Sequence, residues 1–397
     1  MLTGTTLSDE RVAALRAATP GCAHVIHFNH AGSSLPPRPV LDAVIDHLRL
    51  EAAIGGYEAY DAAEERIEAV YDSIAHLLNA HRDEIALVEN ATRGWDMAVY
   101  AIPFRPGDRV LTTLSEYSSN VIALLQIARR GVSVEVIPND EHGQVSVAAL
   151  ESMLDDRVRA VFVSHMPTNG GLVQPAEAIG RVLRKHPALY VLDACQTAGQ
   201  VPLDVARIGC DVLSATSRKY LRGPRGVGFL YVRREVIPTL TPPLLDNLAA
   251  TWTAADAYTI REDARRFENW ESYVAGRLGL GAAVDYALDL GLEAIWERVQ
   301  RQAARLRARL SAIPGVTVRD LGAVKGGIVT FTHDGVPPET IKAGLAARTI
   351  NVTTSSLAST RYDMEARGLP MLTRASVHYL TTDEEIEALA AALETLG

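Results

Sequence analysis

Residues 189–219 read LYVLDACQTAGQVPLDVARIGCDVLSATSRK: two short apolar runs, each ending in polar side chains able to do chemistry. Asp193, Cys195 and Gln196 follow the first run, and Ser217, Arg218 and Lys219 end the second. A short apolar run bounded by turn formers reads as a strand buried on both faces. The same signature recurs outward in RAVFVSHM (159–166), VSVEVIP (132–138), DRVLTTL (108–114) and GVGFLYV (226–232), with helical stretches such as NVIALLQIARR (120–130) and AEAIGRVLRKH (176–186) between them. Strand and helix alternating at this spacing predict an α/β architecture: a mainly parallel sheet covered on both faces, with ligands at the carboxyl ends of its strands.

From Val40 to Leu78, apolar residues recur every three or four positions, which predicts two amphipathic helices separated by a loop at Gly55-Gly56-Tyr57. The Pro- and Thr-rich passage from Pro238 to Tyr258 reads as an irregular connection and a domain boundary. A long helical pattern follows, then the strands VTVRDL, GIVTFTH, INVTTS and RASVHYL, and a last helix opened by the capping box Thr382–Glu385. The expected organisation is an N-terminal segment (1–30), a large ligand-binding domain (31–260) and a smaller α+β C-terminal domain with its linking helix (261–397).

The 397 residues are 48% hydrophobic and 22% charged, enough to bury a large core. A net charge of -9 argues against nucleic acid or an acidic membrane surface as partner. The three cysteines, Cys22, Cys195 and Cys210, form no CxxC pair, so neither a disulfide framework nor structural zinc is expected. A reducing cytoplasm is the expected location, since no export signal or membrane span is legible.

Three strand-end clusters carry the chemistry. Glu89-Asn90-Ala91-Thr92-Arg93 precedes a helical run, where free amides and a hydroxyl suit either a phosphate or an ordinary N-cap. Asp193 could cap a helix, bind a metal or pair with a protonated heterocyclic nitrogen. Lys219 could be a Schiff-base lysine or a solvated surface amine.

Taken together, D-A-x-Q at 193–196, Ser217-Arg218-Lys219 and the following GPRGVG (223–228) resemble the class V aminotransferase-like enzymes of fold type I. The likeness runs from Asn29-His30-Ala31-Gly32 to Arg374. It implies pyridoxal 5'-phosphate (PLP) as cofactor, a mainly parallel seven-stranded sheet in the large domain, and a homodimer acting on an amino acid. On that resemblance Lys219 would bind the aldehyde, and Asp193 would hold the ring nitrogen protonated so that the ring can accept electrons. Gln196 and Asn169 would bond near the phenolic oxygen, Tyr117 would stack on the ring, and Thr92, Arg93, Thr216 and Arg218 would hold phosphate. Arg374 would take the substrate carboxylate. The RFE run at Arg266-Phe267-Glu268 also matches, but Glu271 stands where relatives often place a threonine that binds phosphate across subunits.

Cysteine desulfurases of this class carry a mobile cysteine on a small-domain loop, and the stretch from Asn351 to Met364 has none. A closer likeness, carried by the Gly55-Gly56-Tyr57 break, the Glu116-Tyr117 pair and Ser217-Arg218-Lys219 followed by Gly223-Pro224-Arg225-Gly226, is to the branch of ergothioneine-pathway carbon–sulfur lyases and isopenicillin N epimerase-like proteins. The expected activity is β-elimination on an S-substituted cysteine or its sulfoxide, releasing pyruvate and ammonia, with Tyr57 or Arg361 near the leaving group. Transamination and epimerisation are the alternatives, and desulfuration ranks below them.

Overall fold

The computed structural model describes residues 6–396. The chain opens with helix α1 (Asp9–Ala17) and strand β1 (Ile26–His27), followed by helices α2 (Arg38–Ile54) and α3 (Gly56–Leu78). The break between these helices is a single residue rather than a loop: Gly55 adopts φ 101°, and the helix resumes at once through Tyr57.

The large domain then alternates β2 (Ile85–Val88), α4 (Ala91–Val99), β3 (Arg109–Thr113), α5 (Ser118–Ala128), β4 (Ser133–Ile137), α6 (Val147–Met153), β5 (Val158–Ser164), α7 (Ala176–Leu183), β6 (Leu189–Asp193), α8 (Val205–Ile208), β7 (Val212–Thr216) and β8 (Gly228–Val232). Its seven strands lie in the order β2-β8-β7-β6-β5-β3-β4, and all run parallel except β8. Strands β2, β7 and β8 are buried at every position, and β6 at all but its first, as continuous apolar runs under two layers of helix require.

The passage expected to be irregular contains an antiparallel hairpin, β9 (Ala250–Ala254) with β10 (Ala257–Ile260), whose Trp252 and Tyr258 are register partners and exposed. The long C-terminal helical pattern is two helices, α9 (Val274–Leu290) and α10 (Leu292–Ser311), parted at Gly291 with φ 83°. There follow β11 (Val316–Val318), β12 (Ile328–His333), α11 (Pro338–Ala346), β13 (Ile350–Asn351), β14 (Thr353–Ser356), α12 (Arg361–Ala366), β15 (Met371–Ser376) and α13 (Asp383–Glu394). Strands β11-β12-β15-β14 form an antiparallel sheet. The capping box is present: Thr382 Oγ1 accepts from the Glu385 N–H at 3.3 Å, and Glu385 Oε2 accepts from the Thr382 N–H at 3.0 Å.

The N-terminal segment joins the C-terminal sheet region. β1 pairs in parallel with β13, Asn29 bridges Ser376, and Arg16 forms an ion pair with Glu385 at 2.9 Å. No described helix is long and apolar enough to cross a membrane.

Candidate active site

A cavity of about 310 Å³ opens at the carboxyl ends of the large-sheet strands. β2 delivers Glu89 to Thr92, β3 Tyr117, β5 Ser164, Met166 and Thr168, β6 Asp193, Cys195 and Gln196, β7 Thr216, Arg218 and Lys219, and the turn into β8 Arg225 and Gly226. A sheet of parallel strands has its loops and helix starts on that edge, so residues distant in sequence converge there. A larger cleft of about 730 Å³, between α7–α8 and the α9–α10 junction, contains none of the residues that the sequence analysis singled out.

Register explains the convergence. Ser164 on β5 lies beside Asp193 on β6, which lies beside Ser214 on β7. Asp193 is buried; its Oδ1 accepts from the Cys195 N–H at 2.8 Å, and its Oδ2 accepts from Asn120 Nδ2 at 2.9 Å. These two neutral donors leave it lone pairs to spare, and among the described residues no cation is bonded to it.

Lys219 is half-buried on the cavity wall. Loss of water at the amine lowers its pKa, Arg218 and Arg374 push the same way, and the charge of Asp193 opposes them. The amine is therefore easier to deprotonate than an ordinary lysine. Cys195 moves oppositely: burial, and then the charge of Asp193, raise its pKa, so its sulfur stays a protonated thiol at neutral pH.

The Gln196 Nε2 donates to Ala31 O at 3.1 Å, while its Oε1 is buried without a partner. At the far end of the cavity, Asn90 rather than Thr92 caps α4, accepting from the Arg93 N–H at 2.9 Å. The earlier amides of that helix have no intrahelical acceptor, so the Ala91–Thr92 turn offers donors to an anion. Thr216 and Arg218 complete this wall, and Arg218 also donates to Gly32 O.

Arg374, on β15, is buried; its Nη1 donates to Thr168 O at 3.1 Å and its Nη2 to Asn29 Oδ1 at 3.3 Å, while its Nε is unpartnered. Burial holds its pKa down to about 10, and among the described residues no acidic side chain pairs with it.

Arg374 does not itself line the cavity and meets it through Thr168, and four other residues singled out from the sequence lie elsewhere. Asn169 is buried, but its Nδ2 is committed to Asp363 Oδ2 at 2.6 Å, and its neighbour Thr168 faces the cavity instead. Arg93 points along α4, with its Nε 4.0 Å from Glu89 Oε1. Tyr57 is exposed on the first turn of α3, and Arg361 is exposed and paired with Glu365 at 2.5 Å. Ser164 and Thr168 at the β5 end also line the cavity, and their place at the end of an apolar run is the signal that marks them. Glu116 and Asn120 had been given no role at the site.

The family model described as Aminotransferase class-V matches residues 26–389. A protein of Methanothermobacter thermautotrophicus named probable cysteine desulfurase is 28% identical over 94% of each chain. Another so named from Pyrococcus abyssi is 27% identical over 96% of each. Among solved structures, an apo cysteine desulfurase from Thermococcus onnurineus NA1 superposes with a TM-score of 0.92 at 25% identity, covering 99% of each chain. The cystine C–S lyase C-DES, in complex with its reaction product cysteine persulfide, gives 0.85 at 27% identity, over 95% of this chain and 99% of its own. A C-DES variant with glycine covalently linked to the PLP cofactor gives 0.86 at 27% identity, over 96% and 99%.

These matches correct two expectations. The full-length relatives are named cysteine desulfurases, so the β-eliminating lyase of S-substituted cysteines, releasing pyruvate and ammonia, is set aside together with the ergothioneine-pathway and epimerase-like branch. That reading rested on a few short motifs and one absent loop cysteine, whereas the relatives match along nearly the whole chain.

Proposed function

The chain belongs to the aminotransferase class-V family, and from that premise we propose that it is a desulfurase of an L-cysteine-type amino acid that passes the sulfur to a thiol supplied from solution. Its cofactor is pyridoxal 5'-phosphate, which, when bound, supplies an electron sink for a bond broken at the α-carbon of an amino acid. The cavity fits that group. An unpaired amine at Lys219, a carboxylate at Asp193 with unused lone pairs, an orphaned Gln196 Oε1 and the Ala91–Thr92 helix start lie on one wall system.

In this reading Lys219 holds the aldehyde carbon, Asp193 the ring nitrogen, Gln196 the phenolic oxygen, Tyr117 the ring face, and Thr92, Thr216 and Arg218 the phosphate. Arg374 receives the substrate carboxylate, the anion its guanidinium lacks. Lys219 Nζ, with its lowered proton affinity, moves the proton at the α-carbon.

The net reaction joins the acceptor's sulfur to the substrate Sγ and breaks Sγ–Cβ. The electron pair remains with the carbon skeleton, which takes a proton and leaves as alanine, and the acceptor leaves as a persulfide. An external acceptor is favoured because residues 351–364 lack cysteine and the Cys195 thiol is held protonated. The exposed Trp252 and Tyr258 support a homodimer in which this hairpin is covered.

The observation that carries the reading is the shared cavity of Lys219, Asp193 and Gln196 on a chain matching a desulfurase over 99% of its length. The test is holoenzyme with L-cysteine, with and without dithiothreitol, assayed for alanine and sulfide. Alanine that depends on the added thiol is expected. Pyruvate and ammonia in place of alanine would overturn the reaction, and a single burst of one alanine per site without added thiol, lost in Cys195→Ala, would move the acceptor role to Cys195.

A further inference from the structure

Asp193 is not held by its own strand alone. Asn120, on the first turns of α5, uses one Nδ2 hydrogen for Asp193 Oδ2 and directs the other to Glu116 Oε1, both at 2.9 Å. Glu116 is fully enclosed and met by five donors: the Tyr117 N–H at 3.0 Å, Asn120 Nδ2, Ser164 Oγ, the Ser164 N–H at 3.0 Å and Thr112 Oγ1 at 3.3 Å. A carboxamide can turn over with little change of shape, offering its oxygen where its N–H₂ had been. Between two carboxylates only the donor end is tolerated, so Glu116 decides which way Asn120 faces. Asn120 in turn decides how the Asp193 carboxylate lies.

We propose that Glu116 is a positioning residue for Asp193, acting through Asn120 to lock the carboxylate so that its free lone pairs face the ring nitrogen of the cofactor. Ser164 joins the same lock from β5, since its N–H and Oγ both bond Glu116 while it sits beside Asp193 in the sheet. Burial and the charge of Asp193 raise the pKa of Glu116 against the pull of its donors, so two enclosed carboxylates share one amide and gain from a cation placed opposite them. The inference concerns cofactor binding and not the sulfur acceptor, so it can fail or stand independently of the desulfurase reading.

The test uses holoenzyme carrying PLP labelled with nitrogen-15 in the ring, as wild type, Asn120→Ala and Glu116→Gln. In both variants the ring-nitrogen resonance should move toward its unprotonated position, and the visible circular dichroism of the bound cofactor should weaken. Losing one charge-assisted hydrogen bond should weaken cofactor retention about tenfold in Asn120→Ala. With cofactor saturating, kcat should fall and KM should not change. A purely structural role would lower thermal stability while leaving the nitrogen resonance in place. A wild-type resonance with wild-type cofactor affinity overturns the proposal. Should Asn120→Ala fail to fold, Glu116→Gln, which keeps the size but removes the second carboxylate that fixes the Asn120 amide, decides by the same two readouts.

Discussion

A guanidinium enclosed without an acid is an unfinished ion pair. Among the described residues Arg374 donates only to Thr168 and Asn29, and burial lowers its pKa. An amino-acid carboxylate would finish the pair in a fork geometry that an ammonium cannot copy. Arg374→Lys should therefore raise KM for substrate by about tenfold or more while changing kcat less, in steady-state kinetics of the holoenzyme. An unchanged KM would remove Arg374 from the substrate site. Lys219 and Asp193 were legible because each ends an apolar run, and a polar residue at a strand end is a local pattern. The Asn120–Asp193 bond spans 73 positions of sequence and leaves no local pattern. Asn169 misled for a related reason: it and Thr168 are adjacent, and only the turn geometry decides which of them faces the cavity.

At the scale of elements, close approach of backbones constrains the fold more tightly than propensity. A Cβ at Gly180 on α7 would lie 1.7 Å from Ile208 O, whereas a Cβ at Gly56 on the first turn of α3 meets nothing within 4 Å. Gly180→Ala should cost about 3 kcal/mol or more by forcing α7 off α8. Gly56→Ala should be neutral or stabilise by up to about 1 kcal/mol. Denaturant midpoints measured side by side check both. The strands of the large sheet were readable because burial on both faces makes them continuous apolar runs. The β9–β10 hairpin was not, because nearly all its residues are exposed, so it lacks a continuous apolar run, and the alternation Ala-Thr-Trp-Thr-Ala of β9 is not repeated in β10. The α9–α10 break was hidden because apolar spacing continues through Gly291.

For the whole molecule, three histidines join its two ends. His27 and His30 have ring centroids 4.7 Å apart, and His30 and His378 4.8 Å. His378 Nε2 faces Tyr220 O at 3.0 Å, and its Nδ1 is buried without a partner. Burial, then neighbouring positive charge including Arg222, holds His30 and His378 well below the usual histidine range, and burial lowers His27 too. The folded protein keeps them neutral while the unfolded chain binds protons below about pH 6.5, so stability is full above that pH and is lost as pH falls. The melting temperature should drop between pH 7 and 5.5, with each such histidine contributing up to about 1.4 kcal/mol per pH unit. His378→Gln should flatten the profile, and a parallel profile would dismiss the cluster as its source.

The pairing of β1 with β13, and of Arg16 with Glu385, has a consequence in time. Translation delivers Arg16 and β1 well before β13 and Glu385 leave the ribosome. The earlier segment must therefore wait, unpaired, while the large sheet between is already able to assemble. In this fold, a segment made early is completed by one made late.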